Sequence, residues 1–217
     1  MNQKKLVVWI HGSGGSGKTT QSRLLLDAFG CNNETPIVID EEKVKYTVYG
    51  KSGVCVLGKM GKNQCTGLDT VYGKLGSDGI TTTLQGALDD DRVGLIIIEC
   101  ILASAKWYEK WIKAGLRNKF VLLSIHLDFS LWQNFKRISE RRSKKSGKNW
   151  WEEELPDTVY KNVGTKNFET RTIFDKIAGK HPKMPFDILA EKSIRLDALE
   201  NKGKIHQKIM EAIELIC

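Results

Sequence analysis

The 217-residue sequence lacks the features that mark membrane, secreted and metal-scaffold proteins. It has no apolar run near the ~18 residues that a membrane-spanning helix requires. Two lysines stand directly before the first predicted strand, which is not the layout of a signal peptide. The five cysteines are odd in number and include no C-x-x-C pair, which argues against a disulfide framework and against a zinc site. We therefore expect a cytoplasmic protein with reduced thiols.

Basic residues are in excess and are unevenly distributed. The formal net charge is +8 and the pI is about 9.2. Residues 136–148, KRISERRSKKSGK, contain seven Lys or Arg and the single acid Glu140. A basic excess on one face favours a polyanionic partner. A solvated helix face is the other explanation of this run.

The order of predicted elements indicates an α/β fold. Strands are predicted at about 5–11, 36–40, 94–99, 119–127 and 193–197, and helices at about 17–29, 80–91, 104–115, 129–145, 157–178 and 203–216. Alternating strands and helices predict a parallel sheet with crossover helices. We therefore expect one domain over residues 1–217, with a parallel five-stranded sheet flanked by helices. The glycine-rich segment 50–79, which includes a short apolar run at 54–57, is predicted to be irregular.

The most specific motif is LVVWIHGSGGSGKTTQ, residues 6–21. An apolar strand, a glycine loop and a helix start in this order satisfy the P-loop pattern G-x-x-x-x-G-K-[ST]. Lys18 is predicted to reach the β- and γ-phosphates, and the Thr19 hydroxyl is predicted to bind Mg²⁺. The sequence therefore predicts ATP and Mg²⁺ as cofactors. The nucleotide-binding residues are predicted to be Gly12, Ser13, Gly14, Gly15, Ser16, Gly17, Lys18, Thr19 and Thr20.

Acidic residues follow three of the predicted strands. In open α/β sheets ligands bind beyond the carboxyl ends of strands. Asp40 follows the second strand, Glu99 ends the apolar run of the third, and Asp197 ends the last. Glu99 is placed to hold Mg²⁺ through water, in the role of a Walker B acid. An exposed loop acid or a helix cap is the alternative for each of the three.

The order of these parts resembles the P-loop kinases of small molecules and nucleic acid ends, which implies one P-loop kinase domain over residues 1–217. VLLSIHLDFSLWQNFKRISERR looks like their fourth strand and arginine-rich lid, here at about 129–155. The resemblance implies catalytic roles for Arg137 and Arg141, because a positioned arginine is worth about 10³ to 10⁵ in the rate of phosphoryl transfer. It also implies that an acidic residue after the second strand takes the proton from the hydroxyl group that accepts the phosphate. Asp40 is the expected base, with Glu41, Glu42 and Asp69 left open as alternatives.

A narrower resemblance suggests which molecule accepts the phosphoryl group. The P-loop, VCVLGKMGKNQCTGLDT and the lid arginines together resemble bacteriophage kinases that phosphorylate 5-hydroxymethyluracil in DNA, a step of thymine hypermodification. This implies a DNA partner containing that base, with no membrane and no obligate protein partner. The base would be extruded from the stack. The expected substrate contacts are Asp69, Glu42, Arg142, Lys145 and Trp150.

Other interpretations stay open at this stage. A soluble nucleoside or nucleotide kinase would use the same phosphotransfer residues on a free acceptor. A DNA-binding P-loop ATPase or switch would use the basic run to clamp the DNA backbone. Trp150 also fits a role in packing the lid helix, and Asp69 also fits an Asx-type turn.

Overall fold

The computed structural model describes residues 4–42, 44–58, 67–100, 105–147, 157–180 and 190–216. Its strands are β1 (Lys5–His11), β2 (Ile37–Asp40), β3 (Lys45–Tyr49), β4 (Val54–Leu57), β5 (Leu95–Glu99), β6 (Phe120–Asp128) and β7 (Lys192–Asp197). Its α-helices are α1 (Lys18–Ala28), α2 (Gly67–Asp89), α3 (Ala105–Lys113), α4 (Leu131–Ser146), α5 (Asp157–Ile177) and α6 (Lys202–Glu214).

The strands form one sheet in the order β2-β3-β4-β5-β1-β6-β7. The five strands from β4 to β7 in this order are parallel, whereas β2, β3 and β4 are joined by antiparallel pairing. The α/β prediction is confirmed, but the count of five strands is wrong, because the described residues form seven. The links after β2 and β3 are short. They are too short for a helical crossover, which needs a dozen or more residues, so these strands form hairpins.

The sheet is covered by helices on both faces. Val7 and Trp9 of β1 face a core shared with α2, α3 and α5. Val8 and Ile10 of the same strand face the opposite core, which α1 and α6 complete. Burial on both faces explains why the central strands read as continuous apolar runs. Within the described ranges, none of the helices has the length and apolar character needed to cross a membrane.

Segment 50–79 is more regular than its glycines suggest. β4 coincides with the apolar run at 54–57, and α2 starts at Gly67, well before the predicted helix start near residue 80. Gly76 interrupts α2 with non-helical angles (φ 65°, ψ −164°). Leu68 and Val71 are fully buried against the core. The helical spacing of these apolar residues was the available signal, and the neighbouring glycines obscured it.

Candidate active site

The P-loop has the predicted position between β1 and α1. Gly12 has a φ of +148°, and a Cβ added there would lie 2.5 Å from Ser16 Oγ and 2.9 Å from the Leu127 carbonyl. Gly15 and Gly17 also have positive φ values, +83° and +93°. Positive φ values favour glycine at all three positions, and at Gly12 the close approach also excludes a side chain. The glycines predicted from the sequence therefore shape the loop itself.

Polar groups inside the loop suit an anion. Lys18 is buried, and its Nζ donates to the carbonyls of Gly12 (2.7 Å) and Ser13 (2.9 Å). Ser16 Oγ is buried and has no hydrogen-bond partner among the described residues. Successive amides in a glycine loop and the N-terminus of α1 form a concave site for phosphate oxygens. Thr20, the last predicted binding residue, is exposed on α1.

Thr19 and Glu99 meet at the ends of α1 and β5. Thr19 Oγ1 donates to Glu99 Oε1 over 2.5 Å, and Glu99 Oε2 is buried without a hydrogen-bond partner in the described part of the chain. Hydroxyl, carboxylate and phosphate oxygens are ligands that Mg²⁺ accepts, and it usually keeps several waters. The described residues contain no cluster of three or more His, Cys, Asp or Glu suited to a metal. The pair fits Mg²⁺ held mainly by phosphates and water.

The first half of α4 lies against the P-loop. Asn134 Nδ2 donates to Ser13 Oγ (2.8 Å), and Arg137 Nη1 donates to the Gly15 carbonyl (3.0 Å). The Arg137 guanidinium also binds the Ala198 carbonyl (3.0 Å) and lies 5.3 Å from the centre of the Phe129 ring. Arg137 thus lies against the P-loop, and its predicted catalytic role stays a prediction. Asn134 was missed, although it lies three residues before Arg137 on the same helical face.

The other predicted lid residues lie farther along or beyond α4. Arg141 and Arg142 are exposed on the helix. Lys145 belongs to α4, but its side chain is outside the described set, and Trp150 lies outside the described residues altogether. The action of α4 as a closing lid stays a prediction.

Asp40 is not brought to the P-loop. It ends β2 at the outer edge of the sheet, four strands away from β1, which is about 19 Å at the usual strand spacing of about 4.8 Å. Its carboxylate accepts from Lys45 Nζ at 2.7 Å. The prediction assumed a neighbouring parallel strand, but β3 and β4 lie between β2 and β5. Glu42 is exposed beyond β2, and Asp197 accepts from the Leu199 amide in a turn.

The start of α2, and not the end of β2, lies beside Glu99. Gly67 has a φ of +40°, and a Cβ added there would lie 2.4 Å from the Glu99 carbonyl oxygen. A Cβ added at Gly58, directly after β4, would lie 2.2 Å from the Gly67 carbonyl oxygen. The ends of β4 and β5 and the first turn of α2 therefore converge. Asp69 is the third residue of this helix, so its backbone lies near the Thr19–Glu99 pair.

Two buried histidines lie on the strands next to the P-loop, and His11 immediately precedes Gly12. Neither histidine was predicted from the sequence to be a site residue. His11 and His126 are register partners on β1 and β6. His11 Nε2 lies 3.1 Å from Ser124 Oγ, and its ring stacks on Trp9. Burial lowers the pKa of His11 well below its usual value, and His126 and Lys18 lower it further. His11 is therefore neutral at pH 7, and Lys18 supplies the positive charge at this position.

The histidines connect to α5 through Asp128. His126 Nε2 lies 3.5 Å from Asp128 Oδ1, and Arg171 Nε donates to the same oxygen at 2.7 Å. Burial opposes ionisation of Asp128, but the contacts with His126 and Arg171 outweigh it and lower the pKa to about 2. Arg171 also donates to the Phe129 carbonyl. This network fixes α5 against the loop that leads into α4.

Comparison with known proteins gives structural neighbours only. No family model matches the sequence, and no curated protein matches it. Deoxyadenosine kinase from M. mycoides, with dCMP and dCDP bound, is 15% identical at a TM-score of 0.43 over 98% of this chain and all of its own. YorR protein from Bacillus subtilis, in complex with phosphorylated GDP, is 12% identical at 0.46 over 96% of both chains. APE1195 is 17% identical at 0.46 over 98% of this chain and 97% of its own. At these values the likeness supports no inference about the function of this chain.

Proposed function

We propose that this chain transfers the γ-phosphoryl group of ATP to the hydroxymethyl group of 5-hydroxymethyluracil in DNA. The observation that carries the proposal is the position of α4. Its inner face binds the P-loop through Asn134 and Arg137, while Arg141 and Arg142 on the same helix are exposed. One helix thus joins a triphosphate site to a surface for a polyanion. The identity of the base comes from the resemblance of the VLGKMG and GLDT segments.

The transfer breaks the bond between the γ-phosphorus and its bridging oxygen and forms a bond from that phosphorus to the hydroxymethyl oxygen. Negative charge on the γ-phosphoryl oxygens is stabilised by Lys18, and by Arg137 once its guanidinium exchanges the Gly15 carbonyl for phosphate. Thr19 and Glu99 would hold Mg²⁺, which when bound would neutralise phosphate charge. ADP leaves, and the hydroxyl proton passes to a carboxylate. Closure of α4 would exclude water as a competing acceptor.

The carboxylate that takes the proton is proposed to be Asp69 in place of Asp40. A base must come within hydrogen-bond reach of the hydroxyl it deprotonates. Asp40 is separated from the P-loop strand by three intervening strands and is paired with Lys45. Asp69 belongs to the first turn of α2, which lies against the Glu99 carbonyl.

The target base is proposed to leave the helical stack. Its reactive group sits on C5, which faces the major groove of a duplex. A site at the carboxyl edge of a sheet reaches this group when the base is extruded, at a cost of a few kcal/mol.

The decisive experiment uses duplex DNA that contains 5-hydroxymethyluracil. The protein is incubated with ATP and Mg²⁺, the DNA is digested to nucleosides, and the products are identified by mass spectrometry. We expect phosphomethyluracil with the native chain and none with Lys18→Ala. If a free nucleoside is phosphorylated rapidly and the DNA is not, the acceptor is a small molecule and the DNA proposal is wrong. Release of phosphate stimulated by DNA, without modified DNA, would indicate an ATPase.

The base is tested by two matched substitutions. Asp69→Asn should lower kcat by about 10² to 10⁴-fold, the usual contribution of general base catalysis, with little change in nucleotide affinity. Asp40→Asn should leave kcat within a few-fold of the native value. The opposite ranking would return the role to Asp40.

A further inference from the structure

Two large aromatic side chains of the described residues are exposed on neighbouring helices. Trp132, in the first turn of α4, is 66% exposed, and Phe168, on α5, is 71% exposed. Aromatic residues of this size dominate core and interface energetics, and most Phe and Trp side chains described for this protein are buried. Apolar surface left in water next to charged residues is typical of an interaction site.

The two aromatic residues are anchored to the same point of the backbone. Asn167, the neighbour of Phe168, donates through Nδ2 to the Phe129 carbonyl (3.3 Å). Arg171 donates to the same oxygen, and Trp132 follows Phe129 by three residues. A capping box at Ser130 fixes the first turn of α4. The Trp132 and Phe168 backbones are therefore held near each other by rigid elements.

This surface lies on the side of α4 that faces away from the nucleotide. Asn134 and Arg137 point to the P-loop, and at about 100° per residue Trp132 and Lys136 lie on the opposite half of the helix. Both are exposed. A ligand bound here leaves the triphosphate site open.

The charge around the aromatic residues is positive. α4 carries six basic residues and the single acid Glu140. Of the nearby acids, Glu169 is paired with Lys166 at 2.6 Å and Asp128 with Arg171 at 2.7 Å. Exposed aromatic rings beside basic side chains match a strand whose phosphates are anionic and whose bases have open faces.

We propose that Trp132 and Phe168 form a stacking platform for unpaired bases of a DNA strand, with Lys136 binding the phosphates of that strand. The proposal rests on the proposed function, because it describes how nucleotides flanking the reacting base are held. An intact duplex hides the faces of its bases, so the platform selects single-stranded or locally opened DNA.

The test measures binding without chemistry. A fluorescently labelled 12-nucleotide single strand of unmodified DNA is titrated with protein, in the absence of ATP, and followed by anisotropy. Trp132→Ala and Phe168→Ala should each weaken binding about 5- to 150-fold, the equivalent of 1 to 3 kcal/mol per stacked base. Trp132→Phe, which keeps an aromatic face, should retain most of the affinity. Leu215→Ala is the matched control, because Leu215 is 75% exposed near the end of α6.

The charged part of the platform has its own measurement. Lys136→Gln should reduce the slope of log K against log[salt] by about 0.7, the value for one phosphate contact on a single strand. Lys204→Gln, on the exposed part of α6, should leave the slope unchanged.

Several outcomes would overturn the platform. The first is a DNA affinity of Trp132→Ala and Phe168→Ala equal to that of the native protein. The second is an equal loss of DNA affinity in Leu215→Ala. The third is that the aromatic substitutions reduce self-association in sedimentation and leave DNA binding unchanged. Because the oligonucleotide carries no hydroxymethyluracil, failure of the phosphorylation assay would leave these binding results standing. Circular dichroism melting curves that match the native protein would show that the variants are folded.

Discussion

The contact between Gly67 and Glu99 gives the sharpest test of the site. Gly67→Ala would place a Cβ 2.4 Å from the Glu99 carbonyl oxygen, so the two must separate by about 0.6 Å to reach even 3.0 Å. The same separation applied to the Thr19–Glu99 hydrogen bond, now 2.5 Å, would stretch it beyond 3 Å. Misplacement of about 1 Å in an active site costs on the order of 10²-fold in rate. We expect kcat to fall by roughly 10- to 100-fold.

The positive φ of Gly67 adds a second effect that a control must remove. An L-residue in the left-handed region costs about 1 to 2 kcal/mol. Gly115 has a φ of +69° and no heavy atom within 4 Å of an added Cβ, and it precedes β6, at the sheet end opposite the P-loop. Urea unfolding should show a loss of about 1 to 2 kcal/mol in Gly115→Ala with native kcat. Equal kcat in Gly67→Ala and Gly115→Ala would refute the coupling of α2 to the site.

Three further predictions concern Glu99, Arg137 and His11. Glu99→Gln keeps the shape but removes the charge, so Mg²⁺ affinity in a calorimetric titration with nucleotide should fall about 10- to 100-fold; an unchanged affinity would exclude Glu99 from the metal site. Arg137→Gln should lower kcat about 10³-fold and Arg141→Gln far less, because only Arg137 binds the P-loop; equal losses would contradict this ranking. The pKa of His11 is lower folded than unfolded, so stability should fall as pH drops below about 6.5, by up to about 1.4 kcal/mol per pH unit, and His11→Gln should flatten that slope in urea unfolding; an unchanged slope would assign it to other groups.

The parts of the fold that depend on local pattern could be read from the sequence. β1 was predicted at 5–11 and is found at Lys5–His11, and α4 and α5 begin within two residues of their predicted starts. The P-loop was also predictable, because its glycines are required by the backbone itself. In each case the signal lies within a short stretch of chain.

The parts that depend on long-range pairing could not be read. Nothing local to residues 37–40 shows that β2 pairs with β3 at the sheet edge, and this pairing separates Asp40 from the P-loop. His11 and His126 are 115 positions apart and meet only because β1 and β6 are neighbours. Glu99 lies beside Thr19 because β5 pairs directly with β1, whereas its role at a metal site stays a prediction.

The position of β2 also gives its acidic residues a different purpose. An outer strand offers unpaired backbone groups to other chains, and Ile37 and Val38 expose over two-fifths of their surface there. Short length and charge are the usual protection against strand-to-strand aggregation. β2 has four residues and ends in Asp40, with Glu41 and Glu42 directly after it. We therefore expect these carboxylates to disfavour pairing of β2 with strands of other molecules.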